Sequence, residues 1–351
     1  MKILHTGDLH LDSTMETNFD PELASIRRKE LLLTFSRMVD YAADNGVRVF
    51  LIAGDLFDTS HPSPDTVQYV MQCMADHPSI DFLCLSGNHT GSFQPYNPPT
   101  NYKTFPRQEF GAYRYGDVVI WGSENNAAYH QLSPDESDVN IVTLHGEVRD
   151  AITDLSIINP KFYQNKHIDY LALGHYHRMR METLDERGKW AYCGTPEGRG
   201  FDESGEKGFI LVDINGKQVS TVFIPFAKRT IHLISIDLSL IFSQREIEKK
   251  VQEQIVGIPK SDIIRITLRG ITAPELNKDV RQLHASVEDQ FFFVSVVDES
   301  SMVLRLESYE HDVSLRGEFV RTVMRSGLSQ QDLDRIIRCG IQALNGEEID
   351  E

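Results

Sequence analysis

The sequence is poor in cysteine and has no long apolar run, and both absences exclude classes of protein. Its four cysteines are far apart and form no C-x-x-C pair, so neither a disulfide framework nor a zinc ribbon is expected. No segment approaches the roughly 18 apolar residues of a membrane span, and the opening residues MKILHTGDLH lack the apolar core of a signal peptide. We therefore expect a cytoplasmic protein without membrane association, whose cysteines are reduced.

Basic residues are also in deficit. Against 52 aspartates and glutamates stand 35 lysines and arginines, which gives a formal net charge of -17. A generally basic surface for nucleic acid is therefore not expected, since phosphate contacts usually come from clustered Lys and Arg. Bound metal cations and a local basic patch are compatible with this charge. The 351 residues, 40% hydrophobic and 25% charged, indicate a globular protein of roughly two domains.

Polar motifs follow the predicted strands. Apolar, strand-like runs alternate with helical stretches as far as about residue 225, a pattern that predicts an α/β fold. The motifs are GDLH (7–10), GDLFD (54–58), GNHT (87–90), TLHGE (143–147) and GHYH (174–177). Their glycines let the turning backbone approach a site closely. Each motif delivers Asp, Asn or His at the exit from a strand, which predicts a common site at one rim of the sheet.

The residue types in these motifs suit a metal site. Carboxylate and amide oxygens with imidazole nitrogens favour Mn, Fe or Zn, without the thiolates of a closed structural zinc site. In extended chain, His175 and His177 would point the same way and Tyr176 the other. A single Asp or Asn at a strand exit is more often a turn residue, but the ordered set favours metal ligation. Two metals about 3.5 to 4 Å apart, bridged by one carboxylate, would stabilise displacement at phosphorus.

The ordered set DxH, GDxxD, GNH, H and GHxH resembles the calcineurin-like metallophosphoesterase superfamily. The stretches MKILHTGDLHLDS, AGDLFDTSHPSPDT, LALGHYHR and YCGTPEGRGFDESGEKG resemble more closely the SbcD type of DNA double-strand-break repair nuclease. The resemblance implies a β-sandwich flanked by helices (αββα) that forms a dimetal phosphoesterase (nuclease) domain over residues 1–227. It further implies a smaller α/β capping domain over 228–312 and C-terminal helices over 313–351.

The resemblance also assigns roles to residues. It implies two divalent metals, with manganese expected and iron, zinc or magnesium as alternatives. One metal would be bound by Asp8, His10, Asp55 and His177, and the other by Asp55, Asn88, His145 and His175. His89 would not bind metal but would contact the scissile phosphate and help stabilise or protonate the leaving oxygen. The chain departs from the family at Thr90, where an acid usually follows GNH, and has Asp58 where some relatives have histidine.

Four basic residues are candidate substrate contacts. Lys103 and Arg107 lie in a loop, residues 91–108, that is rich in proline and aromatic residues. Aromatic side chains of such a loop can stack on bases, and its cations can contact phosphates. The same composition is equally expected of a proline-rich surface loop whose aromatic residues pack locally. Arg178 and Arg199 lie near the later motifs and are further candidates for phosphate contacts.

The resemblance implies a metal-dependent DNA nuclease of double-strand-break repair, either an exonuclease or an endonuclease, that uses a water activated by two metals. The chemistry equally suits a phosphatase or phosphodiesterase for a small-molecule or nucleotide substrate. A third alternative is a non-catalytic scaffold subunit, which would usually have lost metal ligands. The capping domain and the GFDESGEKG stretch favour DNA as the substrate.

A predicted helix in PSPDTVQYVMQCMADHP bears on self-association. Its apolar stripe is formed by Val67, Val70, Met71 and Met74. Such a stripe packs more often on its own sheet than on a partner. The dimer of the resembled family nevertheless suggests a homodimer.

The C-terminal residues 313–346 predict two helices that are broken at residues 326–328. Ser329 would cap the second helix, Asp332 would lie in its first turn, and Gly346 would follow its end. Its apolar face is formed by Leu333, Ile336, Ile337, Ile341 and Leu344. This face would pack on the capping domain or, as the resemblance implies, bind an SbcC-like SMC-family ATPase.

Overall fold

The computed structural model describes residues 1–16, 19–90, 93–151, 154–272, 276, 278–302 and 309–345, with only the backbone of residues 302, 330, 331, 334, 338, 342 and 345. The chain divides into two compact units, Met1–Thr230 and Ile231–Glu351. The predicted C-terminal segment, residues 313–351, falls within the second unit. None of the helices formed by the described residues is long and apolar enough to cross a membrane.

The first unit contains two six-stranded sheets. Its strands, in chain order, are Lys2–Thr6 (β1), Val47–Ile52 (β2), Asp81–Cys84 (β3), Tyr102–Thr104 (β4), Gly111–Tyr115 (β5), Val118–Gly122 (β6), Val139–His145 (β7), Glu147–Val148 (β8), Ile157–Ile158 (β9), Tyr170–Gly174 (β10), Arg180–Thr183 (β11), Lys189–Tyr192 (β12), Gly208–Asn215 (β13) and Gln218–Pro225 (β14). The strand order is β14-β13-β1-β2-β3-β4 in one sheet and β11-β12-β10-β7-β6-β5 in the other. β8 and β9 form a separate parallel pair.

The core of the first unit lies between these two sheets. Ile3, Val49 and Leu83 of the first sheet share one buried cluster with Ile141 and Ala172 of the second. These strands are buried on both faces and are parallel to their neighbours, except that β1 is antiparallel to β13, which explains why they read as apolar runs without polar alternation. The predicted α/β class and its β-sandwich are therefore confirmed.

The helices of the first unit are Pro21–Asp44 (α1), Pro64–Ala75 (α2) and the short Gly87–Thr90 (α3). α1 begins after Asp20, whose carboxylate accepts the backbone N–H groups of the first turn. It covers the outer face of the first sheet, where Phe35 packs edge-to-face on Phe50. The outer face of the second sheet packs on residues around two short 3-10 helices, Asn126–Gln131 and Pro160–Phe162. Within the described chain, regular helices therefore cover only one side.

Helix α2 bears on the predicted self-association. Val70 and Met74 are fully buried, whereas Val67 and Met71 are half-buried. Much of the apolar stripe is thus used inside the first unit, as the more common packing of such a stripe predicts. The homodimer stays a prediction.

The second unit is built on a parallel sheet of three strands. Its elements are Ile231–Asp237 (β15), Gln244–Ile255 (α4), Ile263–Arg269 (β16), Ile271–Thr272 (β17), Val280–Ala285 (α5), Phe293–Asp298 (β18), Ser301–Met302 (β19), Leu315–Met324 (α6) and Gln330–Asn345 (α7). The order of the main sheet is β15-β16-β18, and β17 pairs with β19. α5 is short, because Asp279 caps the chain at Val280 and the helix ends at Ala285. Residues 273–275 and 277 lie outside the described residues.

The C-terminal helices α6 and α7 are present where the sequence predicts them. Ile337 and Ile341 of α7 are buried in a cluster with Val320 of α6, while Ile336 and Leu344 are exposed. The predicted apolar face is therefore partly used and partly open. Gly346, the predicted residue after the helix end, lies outside the described residues.

Candidate metal centre

The predicted site residues lie where the carboxyl ends of parallel strands from both sheets meet. Two glycines allow the sheets to approach there. A Cβ atom at Gly54 would overlap the imidazole of His145, and one at Gly174 would overlap the carbonyl oxygen of Ala53. Gly54 also has a φ of 99°, which side chains rarely permit. Glycine is therefore required at both positions, because the two sheets approach too closely there to leave room for a side chain.

Several ligand residues adopt left-handed backbone conformations. The φ angles are 51° at Asp8, 46° at His10, 48° at Asp55 and 103° at His175. Such angles are unfavourable for residues with a side chain and are concentrated at functional sites. The convergence of His175 and His177 therefore comes from a sharp turn after β10, not from the alternation of extended chain that the sequence suggested.

The first ligand cluster contains Asp8, His10 and His177. One ligand atom from each residue lies within 4.8 Å of the other two. The two Nε2 atoms of His10 and His177 are 3.2 Å apart. Both oxygens of Asp8 accept the backbone N–H of His175 at 2.9 Å, which fixes the carboxylate against the turn.

The second ligand cluster contains Asp8, Asp55 and His145, again with ligand atoms within 4.8 Å of one another. His145 Nε2 lies 3.2 Å from Asp55 Oδ2 and 2.8 Å from Asn88 Oδ1. His175 Nδ1 lies 3.2 Å from the same amide oxygen. The sequence-predicted ligands are thus brought together, and their assignment to metals stays a prediction.

The electrostatics of the second cluster couple His145 to the buried carboxylates. Burial lowers the pKa of His145, but its hydrogen bond with Asp55 and the charge of Asp8 outweigh burial and raise the pKa to about 9. Burial raises the pKa of Asp55, while its hydrogen bond with His145 prevails and lowers the pKa to about 2. The negative charge of Asp8 and Asp55 therefore makes this cluster attractive to a cation.

His10 and His175 favour the neutral form that binds metals. Burial lowers the pKa of His10, and the nearby Asp58 opposes this only in part. Burial and the positive charge of His145 lower the pKa of His175. Neutral imidazoles, carboxylates and an amide oxygen together form a donor set that fits a borderline divalent cation.

Two carboxylates behind the histidines were not identified from the sequence. Asp58 Oδ1 lies 2.8 Å from His10 Nδ1, and Glu203 Oε1 accepts a hydrogen bond from His177 Nδ1 at 2.7 Å. Burial raises the pKa of Glu203, but the contacts with His177 and Arg199 hold it well below its usual range. Glu203 belongs to the GFDESGEKG stretch that resembles the family. Its place in that stretch was the signal by which the sequence could have indicated a role for Glu203 at the site.

His89 stands beside the first cluster with its side chain half-exposed. Its ring centroid is 4.8 Å from that of His10, and its Nδ1 lies 3.3 Å from the backbone oxygen of Asp58. The hydroxyl of Thr90 instead donates to the Phe57 carbonyl at 3.0 Å. Thr90 therefore does not orient His89 in the way that the acid of other family members is expected to.

The four candidate substrate contacts have different surroundings. Arg107 lines a cavity of about 530 Å³ together with Asn88, His145 and His175. Arg178 is exposed and donates to the backbone oxygen of Asp202.

The remaining two candidates are held by acidic residues. Lys103 lies on β4 and pairs with Asp81 at 2.9 Å, at the amino end of β3 and so away from the ligand rim. Arg199 forms ion pairs with Asp58 and Glu203. The structure thus brings Arg107 and Arg199 to the candidate centre, and the substrate-contact assignments stay predictions.

Comparison with known proteins identifies relatives over about three quarters of the chain or more. The DNA double-strand break repair protein Mre11 of Haloferax volcanii is 26% identical over 264 residues, which are 72% of this chain and 58% of that protein. The chain therefore spans little more than half the length of that relative. The Mre11 protein of Sulfurisphaera tokodaii is 25% identical over 319 residues, which are 81% of this chain and 78% of that protein.

A match to a family model covers the ligand-bearing part of the chain. The model is that of the calcineurin-like phosphoesterases, and it matches residues 1–179, from β1 through both histidines of GHYH. The match spans just over half of the 351 residues. With the sandwich and the ligand clusters described above, it shows that this chain belongs to the calcineurin-like phosphoesterase family.

Proposed function

We propose that this protein is a metal-dependent DNA nuclease that acts in double-strand-break repair. The observation that carries the proposal is the pair of ligand clusters around the buried carboxylates Asp8 and Asp55. Two adjacent cation sites suit hydrolysis at phosphorus, because both the attacking and the leaving oxygen need stabilisation. The similarity to proteins named as Mre11 supports DNA as the substrate.

We assign the ligands as the family pattern does. Asp8, His10 and His177 would hold one divalent ion, and Asn88, His145 and His175 the other. Asp55 would bridge the two, and manganese is the expected ion. When bound, the ions supply Lewis acidity and lower the pKa of water.

The chain itself supplies the proton for the leaving oxygen. His89 donates its backbone N–H to Asp55 Oδ1 at 2.8 Å, so the residue is tied to the proposed bridge, while its imidazole is half-exposed. With Nδ1 facing the backbone oxygen of Asp58, the other ring nitrogen remains for a substrate oxygen. His89 is therefore assigned as the acid catalyst, which would donate the Nε2 proton of its imidazolium form while Nδ1–H stays on the Asp58 carbonyl.

A nucleotide-sized substrate is the second candidate. The cavity of about 530 Å³ opens beside Asn88, His145 and His175, and it has Leu85 and Leu155 among its lining residues. This volume is in the range of small-molecule sites. A phosphodiesterase for a free nucleotide would use the same ligands without needing a DNA surface.

We further assign two partners and a location. A homodimer through the first unit would let two centres address two DNA ends, and the open part of the α7 face would bind an SbcC-like SMC-family ATPase. The exposed Ile336 and Leu344 support the second assignment. The cytoplasmic location expected from the sequence accords with a DNA substrate.

The test measures cleavage of end-labelled single-stranded and duplex DNA with manganese, beside a chromogenic phosphodiester and a phosphomonoester. A DNA nuclease cleaves DNA and the chromogenic diester, and chelation of the metal stops both reactions. Hydrolysis of the small esters alone would favour the nucleotide phosphodiesterase. A protein that binds manganese and hydrolyses none of these substrates would be a scaffold, and the proposal would fail.

A further inference from the structure

We propose that Arg199 is a positioning residue that locks both histidines of the first ligand cluster, so that the two metal sites differ in affinity. The arginine acts through Asp58 and Glu203 and touches no metal itself. This inference rests on the proposed metal sites but not on DNA as the substrate. It replaces the direct substrate contact that the sequence predicted for Arg199.

Each histidine of the first cluster has a carboxylate beside its Nδ1. His177 Nδ1 hydrogen-bonds to Glu203 Oε1 at 2.7 Å, and His10 Nδ1 lies 2.8 Å from Asp58 Oδ1 in a close contact that lacks hydrogen-bond geometry. Both rings therefore turn Nε2 inward, where these atoms lie 3.2 Å apart. A carboxylate behind a ligating histidine fixes its tautomer and orientation and makes the ligand more basic.

Arg199 joins the two carboxylates. Its Nη1 lies 3.0 Å from Asp58 Oδ1, and its Nη2 lies 2.8 Å from Glu203 Oε1. The backbone N–H of Arg199 also donates to Glu203 Oε2 at 2.8 Å. Because the guanidinium is planar and permanently charged, it sets the spacing of two acids that would otherwise repel each other. One side chain therefore fixes both histidines at once.

The backbone that carries Arg199 is anchored independently. The fully buried Arg27 of α1 donates to the Gly198 carbonyl at 2.7 Å and pairs with Glu197 at 2.9 Å. Thr34 lies two turns after Arg27 on the same face of α1, and its hydroxyl donates to the other oxygen of Glu197 at 3.1 Å. The segment before Arg199 is thus bound to a long helix. The bridge that Arg199 forms between Asp58 and Glu203 is therefore a rigid part of the first unit.

The second cluster has a different support. His145 Nδ1 faces the backbone oxygen of Ala53 at 2.9 Å, with Asp8 Oδ1 farther away at 3.9 Å. His175 Nδ1 faces Asn88 Oδ1, itself a proposed ligand of the second site, at 3.2 Å, so no carboxylate stands behind it there. A neutral oxygen adds less basicity to an imidazole than a carboxylate does, so the first site should bind its ion more tightly than the second.

The experiment titrates the metal-free protein with Mn²⁺ and follows free ion by electron paramagnetic resonance. The wild type should show one tighter and one weaker site. In Arg199→Met the tighter site should weaken by about 10- to 100-fold, the range found for residues behind metal ligands, while the weaker site is unchanged. Arg199→Lys should bind Mn²⁺ at this site more tightly than Arg199→Met but more weakly than the wild type. The lysine ammonium keeps the charge but lacks the planar, paired donors of the guanidinium.

Arg187→Met is the matched control. Arg187 is 26% exposed against 18% for Arg199, and it likewise forms paired bonds with a carboxylate, that of Asp169, away from the ligands. Its loss should lower thermal stability without changing either Mn²⁺ affinity. If Arg199→Met does not fold, Glu203→Gln, which keeps the shape of the residue, should weaken the same site.

Three outcomes would overturn the proposal. Unchanged Mn²⁺ affinities with a raised KM for DNA would make Arg199 a substrate contact. Equal weakening of both sites would make its role merely structural. A wild type that binds no Mn²⁺ would remove the metal sites themselves. In contrast, selective weakening of the tighter Mn²⁺ site in a protein that cleaves no DNA would support the positioning role of Arg199. It would contradict only the proposed nuclease activity.

Discussion

At the scale of single residues, the buried His5 predicts a pH-dependent stability. Burial lowers the pKa of His5 to about 3, and Nδ1 lies 2.8 Å from the Tyr170 hydroxyl. Below the unfolded pKa of about 6.5 the unfolded chain binds a proton that the folded chain refuses, so stability falls with decreasing pH down to about 3. At pH 5 this residue should cost about 2 kcal/mol relative to pH 7.

The measurement is urea denaturation at pH 7 and pH 5 for the wild type and His5→Gln. Glutamine can still reach the Tyr170 hydroxyl but carries no titrating group. The loss of unfolding free energy between these pH values should therefore be smaller in the variant by about 2 kcal/mol. An identical loss in both proteins would contradict the role of His5.

Asp55 and His89 predict a separation of metal binding from turnover. Asp55→Asn should reduce the content of both metals, because the shared carboxylate loses its charge, although its amide oxygen can still accept the N–H of His89. His89→Ala should retain both metals and lose about 10²- to 10⁴-fold in cleavage rate, the usual contribution of a general acid. Metal analysis and DNA cleavage measure the two effects.

Two results would contradict the roles assigned to Asp55 and His89. Full metal occupancy in Asp55→Asn would remove the bridging role. Cleavage at the wild-type rate by His89→Ala would remove the acid catalyst. Circular dichroism of both variants shows whether the fold is retained, since Asp55 is almost fully buried.

The sequence predicted the inner residues of the site better than those behind them. Asp8, Asn88 and His175 each follow an apolar run and a glycine, and parallel strands bring such positions to one rim. Arg199 and Asp58 are 141 residues apart, and their ion pair depends on a loop that has no periodic pattern. Pairings of this kind follow from tertiary packing and leave no local signal in a single sequence.

At the scale of elements, the turn after β2 predicts a sharp effect of one methyl group. Gly54→Ala would place a Cβ against the His145 imidazole in a backbone with a φ of 99°. The control is Gly46→Ala, where φ is 67° but no atom lies within 4 Å of the added Cβ. The control should lose only the roughly 1–2 kcal/mol of left-handed strain.

Gly54→Ala should lose more stability than Gly46→Ala and should also lose manganese at the second site. Thermal denaturation and the Mn²⁺ titration distinguish the two effects. Equal melting temperatures and equal metal binding in the two variants would show that His145 can move away without consequence.

Element boundaries were predicted well where caps are local. Pro21 and Pro64 start α1 and α2 after the capping residues Asp20 and Ser63, and all four can be read from the sequence. The end of α5 has no such local signal: the chain turns at Ser286, whose backbone N–H donates to the carbonyl oxygens of Gln282 and Leu283. Helical spacing alone does not show where backbone hydrogen bonding stops.

At the scale of the whole molecule, the C-terminal helices predict a partner surface. Removal of the chain from Val313 onward should abolish pull-down of an SbcC-like ATPase fragment and leave manganese-dependent activity, because the candidate metal ligands all lie in the first unit. Ile336→Glu, at an exposed position of α7, should have the same effect in the full chain. The control is Leu240→Glu, at an exposed position of the second unit outside α7.

Retained binding after truncation would contradict the partner surface, as would global unfolding of the truncated protein. Equal loss of binding in Ile336→Glu and Leu240→Glu would show that any added charge on this unit prevents association. Buried Ile341 is unsuitable for this test, since its replacement would disturb the packing of α7 on α6.

The position of β1 within its sheet determines when the centre can form during synthesis. β1 carries Asp8 and His10 at its exit, yet it lies between β2 and β13, and Lys2 pairs with Asp213. At ordinary translation rates the first strand therefore waits on the order of tens of seconds for its second neighbour. Folding of the first unit is thus dominated by contacts between distant parts of the chain, and capture of the ions comes late.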